Sequence, residues 1–196
     1  MKRTTLPASF YARPTPEVAR RLLGHILVSE LGGHRTAGRI VETEAYIGPE
    51  DPACHGYRGH RSRRNASLFE RPGTAYVYFT YGMHWCLNAV TEREGFPAAV
   101  LIRALEPLEG VAIMRRRRRR QRGADRELCS GPAKLCQALG VSGTEDGRTL
   151  TRGPLRIVRN GSRQRYAIIA TPRVGIRHAV DWPLRFLIKD SPWVSR

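Results

Sequence analysis

Apolar positions recur at helical spacing in the stretch after Thr15, where Val18, Leu22 and Leu23 fall on one face. Thr15 as N-cap, Pro16 and Glu17 in the first turn and Gly24 as the stop predict a short amphipathic helix. HILVSEL (25–31), the Gly32-Gly33 pair and TAGRIVETEAY (36–46) predict two strands of a hairpin. Strict alternation puts Ile40, Glu42, Glu44 and Tyr46 on one face of the second strand. From Gly48 to Pro72 the periodicity vanishes among Gly, Pro, Arg and His, which predicts a long surface loop, a place where function often sits. TAYVYFTYGMHWCLNAV (74–90) then reads as two β-prone runs around a turn at Tyr81-Gly82-Met83. AAVLIRALEP (98–107) reads as a buried strand, with a helix from about Leu108 to Arg120. SGPAKLCQALG (130–140) carries Ser and Pro at its start and Gly at its end, a second capped helix. Short strands and turns fill the rest, ending in LRFLI and SPWV. No repeat or shift in composition marks a boundary, so one mixed α and β domain spanning residues 1–196 is expected.

Composition changes this picture in one respect. The 196 residues hold 34 Lys+Arg against 17 Asp+Glu, a net +17, while 41% hydrophobic content provides for a core and excludes a disordered basic tail. Residues 1–110 carry 14 basic and 11 acidic side chains, and residues 147–196 carry 11 and 2. The excess is therefore distributed and does not come from Arg115 to Arg120 alone. A folded surface of this charge favours a polyanion such as nucleic acid. Only Lys2, Lys134 and Lys189 are lysine. Codon bias in a GC-rich genome accounts for arginine in place of lysine, but not for the total. No apolar run approaches the roughly 20 residues of a membrane span, and the N-terminus lacks a signal-peptide core, so a soluble intracellular protein is expected.

Cys54, Cys86, Cys129 and Cys136 form no CxxC pair, and no His lies at zinc-finger spacing from them. His55 and His60 lie near Cys54 but would need a further ligand such as Asp51. Reduced, buried thiols are the default expectation.

Glu44 is the most informative single position. A carboxylate beside an aromatic on one strand face can have its pKa raised by desolvation and act as a general base. The same pattern fits an exposed strand acid paired with an arginine. Tyr46, Tyr76, Tyr78 and Tyr81 are dense for a chain that is 8% aromatic. Stacking on a base contributes about 1–3 kcal/mol, yet a core tyrosine with a bonded hydroxyl fits each of the first three. Tyr81, before Gly82 at a turn, is an exposed aromatic that needs something to insert into. Arg103, inside an apolar strand, needs a partner, and Glu42 and Glu106 are within reach in the pattern.

The segments GRIVETEAYIGPEDPACH, RRNASLF, PGTAYVYFTYGMHWCLN, AVLIRALEPLEG, ELCSGPAKLCQALG and PLRFLIKDSPWVS, taken in order from about Pro7 to Ser195, closely resemble the alkyladenine (3-methyladenine, or methylpurine) DNA glycosylase family. The resemblance implies an α+β fold, a single compact mixed domain with a curved antiparallel β-sheet and a protruding β-hairpin that enters the DNA minor groove. It implies that Glu44 activates the hydrolytic water, that Arg103 helps hold that water and the carboxylate, and that a backbone carbonyl near Val174 positions it. Tyr46, His55 and Tyr78 match the residues that sandwich the flipped base, and Tyr81 matches the side chain that intercalates behind it. Asn88 matches the pocket residue that clashes with the exocyclic amine of guanine. Arg63, Arg64, Arg115, Arg116, Arg117 and Arg118 are candidates for the DNA backbone. Cys54, Gly56, Tyr57 and His84 stand where the family varies, and the six-arginine run exceeds what the family leads one to expect.

A base inside a duplex cannot be attacked at C1′, so extrusion with a wedge to fill the gap is the physical requirement. None of the three lysines lies in a motif that would supply a Schiff-base amine. Plain hydrolysis of damaged purines in double-stranded DNA is therefore expected, by a monomer with no cofactor and no metal, in a bacterial cytoplasm near the nucleoid. Two other readings stand beside it: a noncatalytic RNA- or ribosome-binding module, and a metal-dependent hydrolase built on Asp51, Cys54, His55 and His60.

Overall fold

The computed structural model describes residues 4–161 and 166–195. Two short helices, α1 (Ala8–Tyr11) and α2 (Thr15–Leu22), precede the hairpin of β1 (Ile26–Ser29) and β2 (Thr36–Tyr46). A segment with 3-10 turns at Tyr57–Gly59 and Arg63–Phe69 leads to a second hairpin, β3 (Ala75–Thr80) and β4 (His84–Val90). Then come β5 (Ala99–Glu109), helices α3 (Val111–Arg117) and α4 (Pro132–Leu139), and strands β6 (Leu155–Val158), β7 (Ile168–Thr171) and β8 (Arg185–Ile188).

The strands form one antiparallel sheet in the order β3-β4-β5-β2-β1-β6. The α+β expectation holds. β2 is the axis. One edge pairs with β5 throughout, while the other is shared: β1 takes Thr36 to Arg39 and β8 takes Glu42 to Glu44. β7 extends β8.

Two irregularities in the β2–β5 ladder decide where side chains point. Between the pairs Ile40↔Leu105 and Glu42↔Ala104, Val41 is the extra residue; between Glu42↔Ala104 and Thr43↔Ile102, Arg103 is. An extra residue bends its strand and re-aims the neighbouring side chains. This corrects the strict alternation expected along β2. Ile40 and Val41 both join the main core, and only from Glu42 onward does alternation carry Glu42, Glu44 and Tyr46 to the other face.

Alternation then sorts the central strands into two layers. Val77, Leu87, Ala89, Val100 and Ile102 face a large core shared with Val18, Ala19 and Leu22 of α2 and with Leu135, Cys136 and Leu139 of α4. Tyr76, Val90 and Ala99 face a smaller cluster closed by Cys54 and Leu68, with Tyr46, Phe69 and Tyr78 at its rim. The 48–72 segment is thus more than a surface loop, because its Asp51, Cys54, Asn65 and Leu68 are buried against the sheet.

Three expected boundaries move. Thr15 is the first helical residue and Pro14 the cap; the Thr15 hydroxyl is engaged with Thr91 and Glu92 instead. Gly131, not Ser130, precedes α4. The helix expected from Leu108 to Arg120 is only Val111–Arg117, because β5 runs to Glu109 and Gly110 turns the chain at φ 71°. A Cβ there would lie 2.3 Å from the Arg35 carbonyl oxygen, so this position requires glycine.

Candidate active site

Register across five strands builds the site. Tyr76 pairs with Asn88, Asn88 with Leu101, Leu101 with Glu44 and Glu44 with Arg185, a single row running from β3 to β8. Above it opens a cavity of about 480 Å³, lined by Tyr46, His55, Tyr76, Tyr78, Asn88 and Arg103 together with the loop from Val174 to His178. That volume lies in the range of small-molecule pockets.

Glu44 is fully buried, which removes the reading as an exposed strand acid. Its Oε1 accepts from the Val174 amide at 2.8 Å and lies 3.3 Å from Nη1 of Arg103, and its Oε2 accepts from the Tyr46 hydroxyl at 2.9 Å. All three partners line the cavity while Glu44 does not, so the carboxylate stands one layer behind the wall. Burial pushes its pKa above the usual carboxylate range, opposed by Arg103, the Val174 amide and the Tyr46 hydroxyl, with Glu42 adding to the rise. A buried, partly desolvated carboxylate is a stronger base than a surface one.

Glu42 has the opposite character. Its Oε1 accepts from Arg103 Nε at 3.1 Å, Arg185 Nε at 2.6 Å and the Ser195 hydroxyl at 2.8 Å, and its Oε2 accepts from the Ser195 amide at 2.6 Å. With three donors on Oε1 and one on Oε2, Glu42 anchors Arg103 and ties it to Arg185 and Ser195. Arg103, the bulge residue, thus spans Glu42 and Glu44. Glu106 pairs with Arg39 instead.

The aromatic wall is organised around His55. Its Nδ1 lies 2.6 Å from the Tyr76 hydroxyl, and its ring meets Tyr78 edge-on at 4.6 Å between centroids. Burial and the nearby Arg64 lower the His55 pKa, which favours the neutral ring. Because His55 and Tyr78 touch, they form one wall and nothing fits between them. Asn88 donates Nδ2 to the Tyr76 carbonyl at 3.0 Å, which fixes the amide so that its oxygen is the atom left over. Cys54 is buried, its thiol donating to the Pro97 carbonyl, and burial raises its pKa to about 11, so it stays protonated at neutral pH.

The β3–β4 hairpin carries Tyr81 at its tip, 81% exposed, with Met83 beside it at 68%. Tyr81 and Gly82 have φ 51° and 66°. A tyrosine at positive φ is uncommon, and here the turn aims an aromatic into solvent at some backbone cost. Arg64 donates to the Phe79 carbonyl at 2.7 Å, and with Arg63 it lines a groove beside Tyr81.

The arginine block lies elsewhere. Arg115 bonds Asp125, Arg116 lies 3.0 Å from His34 Nε2, Arg117 donates to the Leu31 and Ala138 carbonyls, Arg118 to Gln137, and Arg120 pairs with Glu127. These contacts tie α3 to the β1–β2 turn and to α4. None of these arginines lines the cavity. Among the described residues no group of three or more His, Cys, Asp and Glu converges as metal ligands; Asp51 is bound to Arg173. No helix among them is long and apolar enough to cross a membrane.

Sequence reading did not find three members of the site. Ser195 and Arg185 meet Glu42 from 153 and 143 residues away, and Arg173 meets Asp51 from 122 away. Only a charge or hydroxyl within an apolar stretch signals such partners, and that signal does not name the mate.

A carboxylate held behind an aromatic cavity, on a strongly basic sheet protein with an exposed aromatic at a hairpin tip, is the equipment of an enzyme that acts on nucleic acid. The model of the methylpurine-DNA glycosylase family matches residues 9–192. The DNA-3-methyladenine glycosylase of Homo sapiens is 45% identical over 205 residues, covering 98% of this chain and 68% of that protein. Putative 3-methyladenine DNA glycosylases of Methanocella arvoryzae and Carboxydothermus hydrogenoformans are 48% and 47% identical, each over 97% of this chain and over 96% and 98% of their own lengths. The chain belongs to the methylpurine-DNA glycosylase family. It is thus a DNA glycosylase, a hydrolase of N-glycosyl bonds, and the reading as a noncatalytic RNA- or ribosome-binding module falls away.

Proposed function

We propose that this enzyme extrudes alkylated and deaminated purines, 3-methyladenine and hypoxanthine among them, from duplex DNA into the cavity and hydrolyses their glycosidic bond with a water activated by Glu44. The observation that carries this reading is the Glu44 carboxylate, buried and raised in pKa, whose three hydrogen-bonding or ionic partners all line the cavity.

In this reading the base stacks between Tyr46 on one side and the His55–Tyr78 wall on the other, and Tyr81 fills the space it leaves. The Asn88 oxygen faces the base edge and disfavours guanine. Water oxygen attacks C1′ as the C1′–N bond breaks, and the bonding pair leaves with the base. Glu44 takes the water proton and offsets positive charge developing on the sugar. A cationic alkylated base departs as a neutral molecule; hypoxanthine departs as its anion and takes a proton from solvent water. An abasic site remains, and the strand is not cut. The water has to enter among the groups that now cover Glu44: the Tyr46 hydroxyl, the Arg103 guanidinium and the Val174 amide, with the carbonyl near Val174 as a further acceptor. The distributed positive charge suits the phosphate backbone of undamaged DNA. We read the protein as a monomer of the bacterial cytoplasm, acting at the nucleoid.

Incubation in EDTA with a duplex containing 3-methyladenine, hypoxanthine or 1,N6-ethenoadenine tests this. Free base is released from at least one of them, and Glu44→Gln retains DNA binding while losing release. Absence of release from all three, or full activity in Glu44→Gln, refutes the reading.

A further inference from the structure

We propose that Asp51 and Arg173 are positioning residues for the glycosylase reaction: their buried ion pair staples together the two loops that wall the cavity. It thereby fixes the Val174 amide against Glu44 and the Tyr46 ring against the bound base. The proposal rests on the reading that Glu44 activates the water.

The two side chains are fully buried and meet in a two-pronged contact, Nη1 to Oδ2 at 2.5 Å and Nη2 to Oδ1 at 2.8 Å. Nη1 also donates to the Ala45 carbonyl at 3.0 Å. Asp51 accepts from the amides of Ile47 at 3.2 Å and Ala53 at 3.0 Å, so its loop is held at both ends. The guanidinium carbon lies 4.8 Å from the centroid of the Tyr46 ring. Tyr46 lines the cavity and Arg173 does not, so the guanidinium backs the ring and leaves its other side to the base.

A buried ion pair is weak as a source of stability, since apolar side chains of equal volume often serve a fold as well. What this pair supplies is geometry. Arg173 directly precedes Val174, whose amide holds Glu44 Oε1 at 2.8 Å. Asp51 lies four residues before His55, in the other loop that lines the cavity. A rigid fork between them transmits the position of one wall to the other, and displacement of about 1 Å at such a point costs about 100-fold in rate.

Arg173→Lys keeps the charge and loses the fork. Asp51→Asn combined with Arg173→Gln removes both charges without leaving one unpaired, and thermal melting confirms which variant is folded. In the folded variant, single-turnover release of 3-methyladenine falls about 10- to 100-fold, while binding to undamaged duplex is unchanged. The acid limb of the rate moves to higher pH in Arg173→Lys. Glu44 still faces Arg103 from β5, Cys86 from β4, Glu42 and Tyr46 from its own strand and the retained charge at position 173, but it loses the amide. A merely structural role would not move that limb. The Val174 amide proton resonance gives a readout independent of activity. It moves upfield in Arg173→Lys as its bond to Glu44 weakens, even if Glu44 proves not to be the base. A folded variant with the parent's rate, acid limb and Val174 resonance overturns the proposal. Failure of the parent to release base, with the resonance shifted as expected, refutes only the reading of Glu44.

Discussion

The Ser195 amide donates to Oε2 of Glu42 at 2.6 Å while the Ser195 hydroxyl donates to Oε1 at 2.8 Å, so one residue near the end of the chain grips both oxygens of a fully buried carboxylate. The same hydroxyl oxygen accepts from Nη2 of Arg103 at 3.2 Å. Ser195→Ala removes the hydroxyl and leaves buried polar atoms short of partners, a loss of about 1–3 kcal/mol. The melting temperature falls accordingly. Arg103 loses one of its restraints, so single-turnover release also slows, and the Ser195→Thr variant, which restores the hydroxyl, recovers most of the rate.

In its proposed role as the base, Glu44 sets the pH dependence. Its folded pKa is raised by burial, and the base works only when deprotonated, so activity is present above that raised value and falls as pH drops through it. The acid limb of the single-turnover rate therefore lies above the ordinary Glu value of about 4.3. Linkage has the matching sign: a raised pKa gives stability that is complete below the unfolded value and is lost as pH rises through the folded one. Glu44→Gln, which carries no charge to desolvate, is expected to melt no lower than the parent at neutral pH while losing base release. Calorimetry from pH 4 to 8 checks both the sign and the window.

Tyr81→Ala removes the proposed wedge without relieving the turn, since alanine is as poorly suited to φ 51° as tyrosine. Binding to a lesion duplex weakens by about 1–3 kcal/mol, and binding to undamaged duplex changes much less. Equal losses on both, measured by fluorescence anisotropy, would contradict the wedge.

Arginines that flank the hairpin and arginines of the block should separate by salt dependence. Neutralising Arg63 and Arg64 lowers the slope of log affinity against log salt by about 1–2. Arg117→Ala instead lowers the melting temperature, because Arg117 bridges the Leu31 and Ala138 carbonyls. A slope that falls when Arg115, Arg116 and Arg118 are neutralised would bring the block back to the DNA surface.

Local chemistry made part of this protein legible. The Tyr81-Gly82 turn lies between two β-prone runs, and the periodicity after Thr15 belongs to one amphipathic face, so both elements were visible in short windows. The carboxylates of β2 were visible as a set, but the bulges at Val41 and Arg103 were not. A bulge arises from a mismatch between two strands far apart in sequence, and no residue type announces it. That is why Ile40 was expected beside Glu44 and why the way Arg103 reaches two glutamates had to wait for the ladder. The α3 helix was overestimated because arginine runs are good helix formers, whereas Gly110 and the pairing of Ala37 with Glu109 set where it begins. The strongly basic residues 147–196 read in the sequence only as charge. The segment also delivers Arg173, Val174, Arg185 and Ser195 to the carboxylates, through contacts that span more than 120 residues.

The row from Tyr76 through Asn88, Leu101 and Glu44 to Arg185 draws one residue from each of five strands, and β8 arrives only near the end of the chain. A molecule in which any of these strands is unpaired lacks part of the row beneath the cavity, so the pocket exists in full only when the whole sheet is paired.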